Sequence, residues 1–233
     1  MGQELAGQFL AKPVSICPYW GRMEKTMNEK SNNQQVDDFD SAWQEVFAQF
    51  RPQVVMTTAL LKLTGMGEHP VEIERLASTI GQSLDETVAL AGQWAYVCVA
   101  EGYIHFDPKG SPYSRYRVKV GTRVLDTGGC AVDLFWAVLA TGASVRAESR
   151  CPTTGTPIRV DLSPEGVESV SPPGAMVTVL HPRAQVLQEM NTVEDADANV
   201  CSQQSFFASA EAAANWLTMH PGGRVYSVAA AFE

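Results

Sequence analysis

Two residues of this chain are spaced so that they could act on one small substrate. Cys130 and Asp133 open an apolar run that continues through Leu134-Phe135-Trp136-Ala137-Val138-Leu139-Ala140. Positions three apart share a helix face, so a thiol and a carboxyl would meet there. At a helix N-terminus, unpaired N–H groups and the dipole favour a thiolate. Asp133 is the only polar side chain between Ala131 and Ala140. A helix apolar on every side is buried, and burial without a cation raises a carboxyl pKa toward values useful for proton transfer near neutrality. The preceding Gly128-Gly129 would allow backbone or ligand to approach closely. A plainer reading fits as well. Cysteine is often buried and inert, and an Asp in the first turn simply complements the dipole, so spacing alone leaves a structural role open.

The other cysteines are less informative one by one. Cys201 follows a loop and precedes Ser202-Gln203-Gln204-Ser205-Phe206-Phe207-Ala208-Ser209. Cys151, in Arg150-Cys151-Pro152-Thr153-Thr154-Gly155, reads as a buried turn residue. Cys98 reads as core on a helix face, and Cys17 belongs to an apolar island, Cys17-Pro18-Tyr19-Trp20. The count is odd and no C-x-x-C occurs, which removes the usual zinc-ribbon and thioredoxin patterns. His69, His105, His181 and His220 lack zinc-site spacing, and Gly128-Gly129 is not followed by the Gly-Lys of a phosphate loop.

These residues must be held by a scaffold, and the chain divides into three parts. Residues 1–36 read as a flexible extension, because Arg22–Asp38 is polar and without periodicity. Residues 37–120 read as a helical, winged-helix-like unit. Ser41–Phe50 is its first helix with Asp40 as N-cap, followed by Pro52–Leu63 and a third helix from Pro70 to Gly81. Ser83-Leu84-Asp85-Glu86 is a capping box that opens a fourth helix, with Leu84, Val88, Ala91, Ala95 and Cys98 on one face. Tyr103–Phe106 and Tyr116–Val120 alternate like the strands of one hairpin. Residues 121–233 read as a catalytic domain of mostly antiparallel sheet with flanking helices. Its strands are marked by alternation at 145–147, 158–162, 167–170, 176–180, 205–208 and 224–228. Asn191–Asn199 reads as an acidic loop and Ser209–His220 as a helix. The fold class expected is α+β.

The chain has 233 residues, 45% of them hydrophobic, enough for a packed core. Its net charge of -9 argues against a nucleic-acid partner, and Ser83–Gly102 carries no Lys or Arg with which to hold phosphate. No run approaches the roughly 20 apolar residues of a membrane helix. Met1–Leu10 lacks the pattern of a signal peptide, so the expected location is the cytoplasm, without membrane association. That compartment argues against disulfides.

Together the motifs resemble the organomercurial (alkylmercury) lyase family. The resemblance runs from about Gly129 to Phe232. It rests on Cys-Ala-Val-Asp at 130–133, Cys-Pro-Thr-Thr-Gly-Thr-Pro at 151–157 and Ser163-Pro164. It continues with Cys201, Phe206-Phe207-Ala208-Ser209, Ala214, Trp216, His220 and Val225–Val228. It implies that Cys130 and Cys201 are the catalytic thiols that hold mercury, that Asp133 shuttles the proton and contacts the Hg(II) product, and that Cys151 is structural. The implied reaction cleaves a carbon–mercury bond to a hydrocarbon and Hg(II), in mercury detoxification. It needs no cofactor beyond free cellular thiols, and a mercuric reductase would accept the metal. Soft mercury prefers thiolates. The sequence departs from the family at Gly129, where an aromatic is usual, and at Ser202, sometimes a second cysteine; both changes are expected to widen or wet the pocket. The alternative is a non-enzymatic thiol protein for Hg(II) or Cu(I), which would have no need of Asp133. A winged-helix metal regulator would require a basic recognition helix.

Overall fold

The structure is a computed structural model, and it describes residues 38–93, 97–106, 115–127, 129–181 and 196–233. The expected extension at 1–36, the turn after Phe106, Gly128 and residues 191–195 of the acidic stretch lie outside the described residues.

Four helices lead the described chain: α1 (Asp38–Gln49), α2 (Arg51–Leu63), α3 (Ile73–Ile80) and α4 (Leu84–Ala91), with the two-residue strand β1 (Val71–Glu72) before α3. Helix α1 begins at Asp38, so Asp40 lies inside it and is not its N-cap. Helix α2 starts with a proline in its first turn, where the missing N–H costs no hydrogen bond. Gly81 closes α3 in the left-handed conformation, at φ +70°. The capping box of α4 forms as expected: Glu86 N–H donates to Ser83 Oγ, and Glu86 Oε2 accepts from Ser83 N–H at 2.9 Å.

Beyond its cap, α4 departs from expectation. It ends at Ala91, and Val97–Ala100 is strand β2, which pairs with β3 (Tyr103–Phe106) across the turn Glu101-Gly102. Cys98 therefore sits on a strand, half-buried, and not on a helix face. Leu84 and Val88 are 42% and 43% exposed, while Thr87, Leu90 and Ala91 turn inward. Thr87 is tolerated there because its hydroxyl donates to Ser83 O at 2.8 Å. Strands β1, β3 and β2 form a small antiparallel sheet, and the helical unit has its own core around Met56, Leu60, Leu76 and Ile104.

The expected hairpin between Tyr103–Phe106 and Tyr116–Val120 does not form. Strand β4 (Tyr116–Val120) pairs instead with β5 (Arg123–Thr127) and with β6 (Val145–Arg150). Two hairpins, each closed by a Gly-containing turn, stand where alternation suggested one. The sheet continues through β7 (Pro157–Ser163) and β8 (Gly166–Ser171), giving five antiparallel strands in the order β5-β4-β6-β7-β8. A second sheet holds β9 (Met176–Val179) between β10 (Phe206–Phe207) and β11 (Arg224–Ser227). Helices α5 (Ala131–Thr141), α6 (Ala210–Met219) and α7 (Val228–Phe232) complete this half. Short α7 was not expected; Ser227 caps it by accepting Ala230 N–H. Ala196–Val200, which takes in the end of the expected Asn191–Asn199 loop, is a π-helical turn. The mixture of helices and antiparallel sheets is the expected α+β class.

One large core joins the two sheets to α5, α6 and α7, and Trp43 and Met66 of the helical half pack against it. At its edge Phe39 is buried, with Arg224 Cζ 4.2 Å above its ring and the His181 ring edge-on at 5.6 Å. No helix among the described residues is long and apolar enough to cross a membrane.

Candidate active site

Helix α5 places the first cysteine and the acid. Cys130 is its N-cap, in extended backbone at φ -121°, and Gly142 ends the helix in the left-handed conformation. Asp133 at the third helical position closes a reciprocal capping box. Its Oδ2 accepts Cys130 N–H at 2.7 Å, and its own N–H points at the Cys130 sulfur. The Cys-x-x-Asp spacing thus makes the local structure: the carboxylate satisfies an N–H that the helix leaves unpaired.

Cys201 arrives from the other end of the domain on a 3₁₀ turn, Cys201–Gln203. Aromatic packing brings this segment in. Phe206, two residues beyond Gln204, meets Phe135 of α5 at 6.0 Å and Tyr116 of β4 at 5.8 Å, both edge-to-face, and Phe135 also meets Phe232 at 5.6 Å. Such pairs contribute about 0.5–1.5 kcal/mol each beyond the area they bury. Two backbone anchors then fix the approach: Ala131 N–H donates to Gln204 O at 3.0 Å, and Ser205 N–H donates to Thr178 Oγ1 at 3.0 Å.

The result is a compact triad. Cys130 Sγ, Cys201 Sγ and an Asp133 carboxylate oxygen all lie within 4.8 Å of one another, the one such grouping found among the described residues. The Cys201 thiol donates to Asp133 Oδ2 at 3.8 Å. Cys130 is buried at 3% exposure and Cys201 is half-buried.

Two expectations about this site are corrected. Asp133 is exposed, not buried. Its helix is apolar in sequence and Cys130, Ala131 and Leu134 around it are buried, but Asp133 itself is exposed; burial of single residues is a tertiary property. Nor does the helix end leave Cys130 an easy thiolate: its thiol is pushed well above its ordinary value. The hydrogen bond with Cys201 is the main cause, followed by burial and the Asp133 charge; the Asp133 N–H pulls the other way and loses. The neighbouring Tyr116 hydroxyl is likewise held neutral, chiefly by burial and then by the proximity of Cys130.

Gly129 has a specific duty that the sequence does not reveal. It adopts φ +77°, and a Cβ there would stand 2.8 Å from Asp133 Oδ2. The glycine makes room for the carboxylate, where a wider pocket was expected. Arg115 Nη1 donates to its carbonyl at 2.8 Å. Ser202, the other departure, donates its hydroxyl to Ala198 O within its own turn. It also edges an open groove of about 980 Å³ that Arg115, Arg117, Arg150 and Arg159 line with Asp126 and Glu148.

Cys151 is elsewhere, buried in the large core at 2% exposure. Burial raises its thiol, but hydrogen bonds from the Thr154 hydroxyl and the N–H groups of Ala208, Thr154 and Thr153 outweigh that and leave it below the ordinary value. Cys98 is likewise outside the triad. The residue that sequence reasoning missed is Gln204, which links Cys130 to the Cys201 segment. Its side-chain partners, Leu180 and Cys130, are remote in sequence, so no local pattern marks it.

The sequence profile of a family described as alkylmercury lyase matches residues 112–233. A Streptomyces lividans alkylmercury lyase is 32% identical over 181 residues, 75% of this chain and 77% of that protein. One from Bacillus cereus is 39% identical over 104 residues, 45% of this chain; the match takes in only 44% of that protein's length. Among solved structures, one titled as the mercury-bound form of MerB2 superposes with a TM-score of 0.54 at 19% identity. It covers 82% of this chain and 92% of its own, a likeness of fold.

Proposed function

The chain belongs to the alkylmercury lyase family, and we propose that it cleaves the carbon–mercury bond of organomercurials by protonolysis. The observation that carries this reading is the convergence of Cys130, Cys201 and Asp133 within 4.8 Å. Two soft sulfurs suit mercury, and a carboxyl beside them suits proton transfer.

In this reading a Cys130 or Cys201 thiolate first displaces the ligand opposite carbon in R–Hg–X, and that thiol's proton leaves with X. The second sulfur then bonds to mercury and weakens the carbon–mercury bond. Its proton passes to Asp133 Oδ2, a step supported by the hydrogen bond from Cys201 to that oxygen. From the carboxyl it goes to the leaving carbon as R–H departs. Hg(II) stays on two thiolates, with Asp133 at its side. Atoms balance: two thiols and R–Hg–X give R–H, HX and a bis-thiolate mercury, with no change of oxidation state. Asp133 begins and ends this cycle as a carboxylate, so only the two thiols must regain protons when Hg(II) is removed. Small cellular thiols then extract Hg(II), and a mercuric reductase is the acceptor that the chemistry favours. The reaction is placed in the cytoplasm, whose thiols keep both cysteines reduced. Cys151 serves packing.

The test is release of methane or benzene from methylmercury or phenylmercury in excess thiol, with Cys130→Ser as control. Release that needs Cys130 supports the lyase. Folded protein that binds Hg(II) without releasing hydrocarbon would overturn it in favour of a soft-metal thiol binder.

A further inference from the structure

The Gln204 side chain is buried at 4% exposure and both ends of its amide are engaged. Leu180 N–H donates to Oε1 at 3.2 Å, and Nε2 donates to Cys130 Sγ at 3.7 Å, a normal reach for sulfur. The orientation is fixed by chemistry. A backbone N–H can only donate, so the amide oxygen must face Leu180 and the NH₂ must face the sulfur. The main chain of the same residue is also tied: its carbonyl accepts Ala131 N–H at 3.0 Å, and its N–H donates to Cys201 O at 3.3 Å. One residue thus touches the Cys130 sulfur, the first residue of the helix behind it, the turn carrying Cys201, and the chain just beyond β9.

We propose that Gln204 is a positioning residue that aims the Cys130 sulfur at the space shared with Cys201 and Asp133, and that its amide stays hydrogen-bonded to that sulfur when mercury is bound. The Asp133 N–H and the Gln204 amide both hold the sulfur, which at the same time hydrogen-bonds with Cys201 and stays within 4.8 Å of the other two groups. Groups that hydrogen-bond a metal's ligand orient it and tune its bond to the metal. The proposal takes the mercury site from the functional reading above, but it concerns the sulfur–mercury bond and not the fate of carbon.

The experiment uses the full chain with mercuric chloride at one equivalent and reads the thiolate-to-mercury charge-transfer absorption. Gln204→Met keeps the length and the backbone anchors and removes the amide. Gln204→Glu, at pH 8, keeps an oxygen for Leu180 N–H and removes the donor to sulfur. In both variants the band should move to longer wavelength, because the sulfur lone pair loses its hydrogen bond. Hydrocarbon release should fall about 10- to 100-fold, mostly in kcat with KM within about twofold. Circular dichroism identifies folded variants; if the Met variant fails to fold, the Glu variant decides. A folded variant with the wild-type band and wild-type kcat would overturn the proposal. Because the band is read on Hg(II) alone, wild-type protein that releases no hydrocarbon would sink the lyase reading and leave this one standing.

Discussion

Oδ2 of Asp133 accepts two hydrogen bonds, from Cys130 N–H at 2.7 Å and from the Cys201 thiol at 3.8 Å. A single oxygen therefore holds the start of the helix and faces the thiol whose proton the proposed reaction needs.

Those two duties can be separated by mutation. Asp133→Asn keeps an oxygen for Cys130 N–H but cannot carry the proton. Hydrocarbon release should fall by about 10²–10⁴-fold, the usual worth of a positioned acid or base. Hg(II) should still bind stoichiometrically to the two sulfurs. Turnover at the wild-type rate in this variant would remove Asp133 from the mechanism.

Gly129→Ala tests the crowding at that carboxylate. The added methyl meets Oδ2 at 2.8 Å in a backbone conformation that L-residues resist, at a cost of about 1–2 kcal/mol. Thermal melting should register that loss. Activity should fall further than stability explains, since the acid is displaced. A variant that melts earlier yet turns over normally would show that the carboxylate has slack.

The raised Cys130 thiol gives a pH signature. Below the ordinary thiol pKa, near ~8.5, both folded and unfolded chains keep the proton. As pH rises past that value the unfolded chain releases it first, so this group's contribution to folding is full at lower pH and is lost as pH climbs through the folded value. Urea unfolding from pH 7 to 10 should fall more steeply for wild type than for Cys130→Ser. Iodoacetamide should label Cys130 slowly at pH 7.5 and faster in Asp133→Asn, where the carboxylate charge no longer opposes the thiolate. Equal slopes, or rapid labelling of Cys130 at neutral pH, would contradict the assignment.

Cys151→Ala should affect folding more than chemistry. It leaves buried N–H donors facing a small void, a loss of about 1–3 kcal/mol. Hydrocarbon release per folded molecule should stay within about threefold of wild type. A well-folded variant that had lost catalysis would give Cys151 a chemical role.

What could be read from the sequence was mostly what is local. The Ser83–Glu86 box, the Gly81 stop, the helix over 209–220, whose N-cap Ser209 accepts Ala212 N–H, and the apolar helix after Cys130 depend on neighbours within four positions, and each stands in the structure. The Cys130–Asp133 pairing was legible for the same reason. Its meeting with Cys201 was suggested only by the family resemblance, because the Phe206–Phe135 and Tyr116 contacts that cause it are long-range. Strand β2 is masked in the sequence because Leu84, Val88 and Ala91 can be continued at helical spacing into Cys98, although Val97 and Val99 are β-branched and the segment leads into a Glu101-Gly102 turn. The exposure of Asp133 and the duty of Gly129 are properties of assembled neighbours, and no pattern in the string encodes them.

The two sulfurs lie far apart in the chain, at positions 130 and 201, and this has a topological consequence. A mercury ion bonded to both closes residues 130–201 into a ring, much as a disulfide would, and restricts the unfolded chain by about 4 kcal/mol or more on the loop-entropy account. The product-loaded protein should melt well above the empty one, with the increment absent in Cys201→Ser. In the proposed cycle the protein alternates between a cross-linked and an open polymer, and the thiol that removes the metal also unlocks the ring.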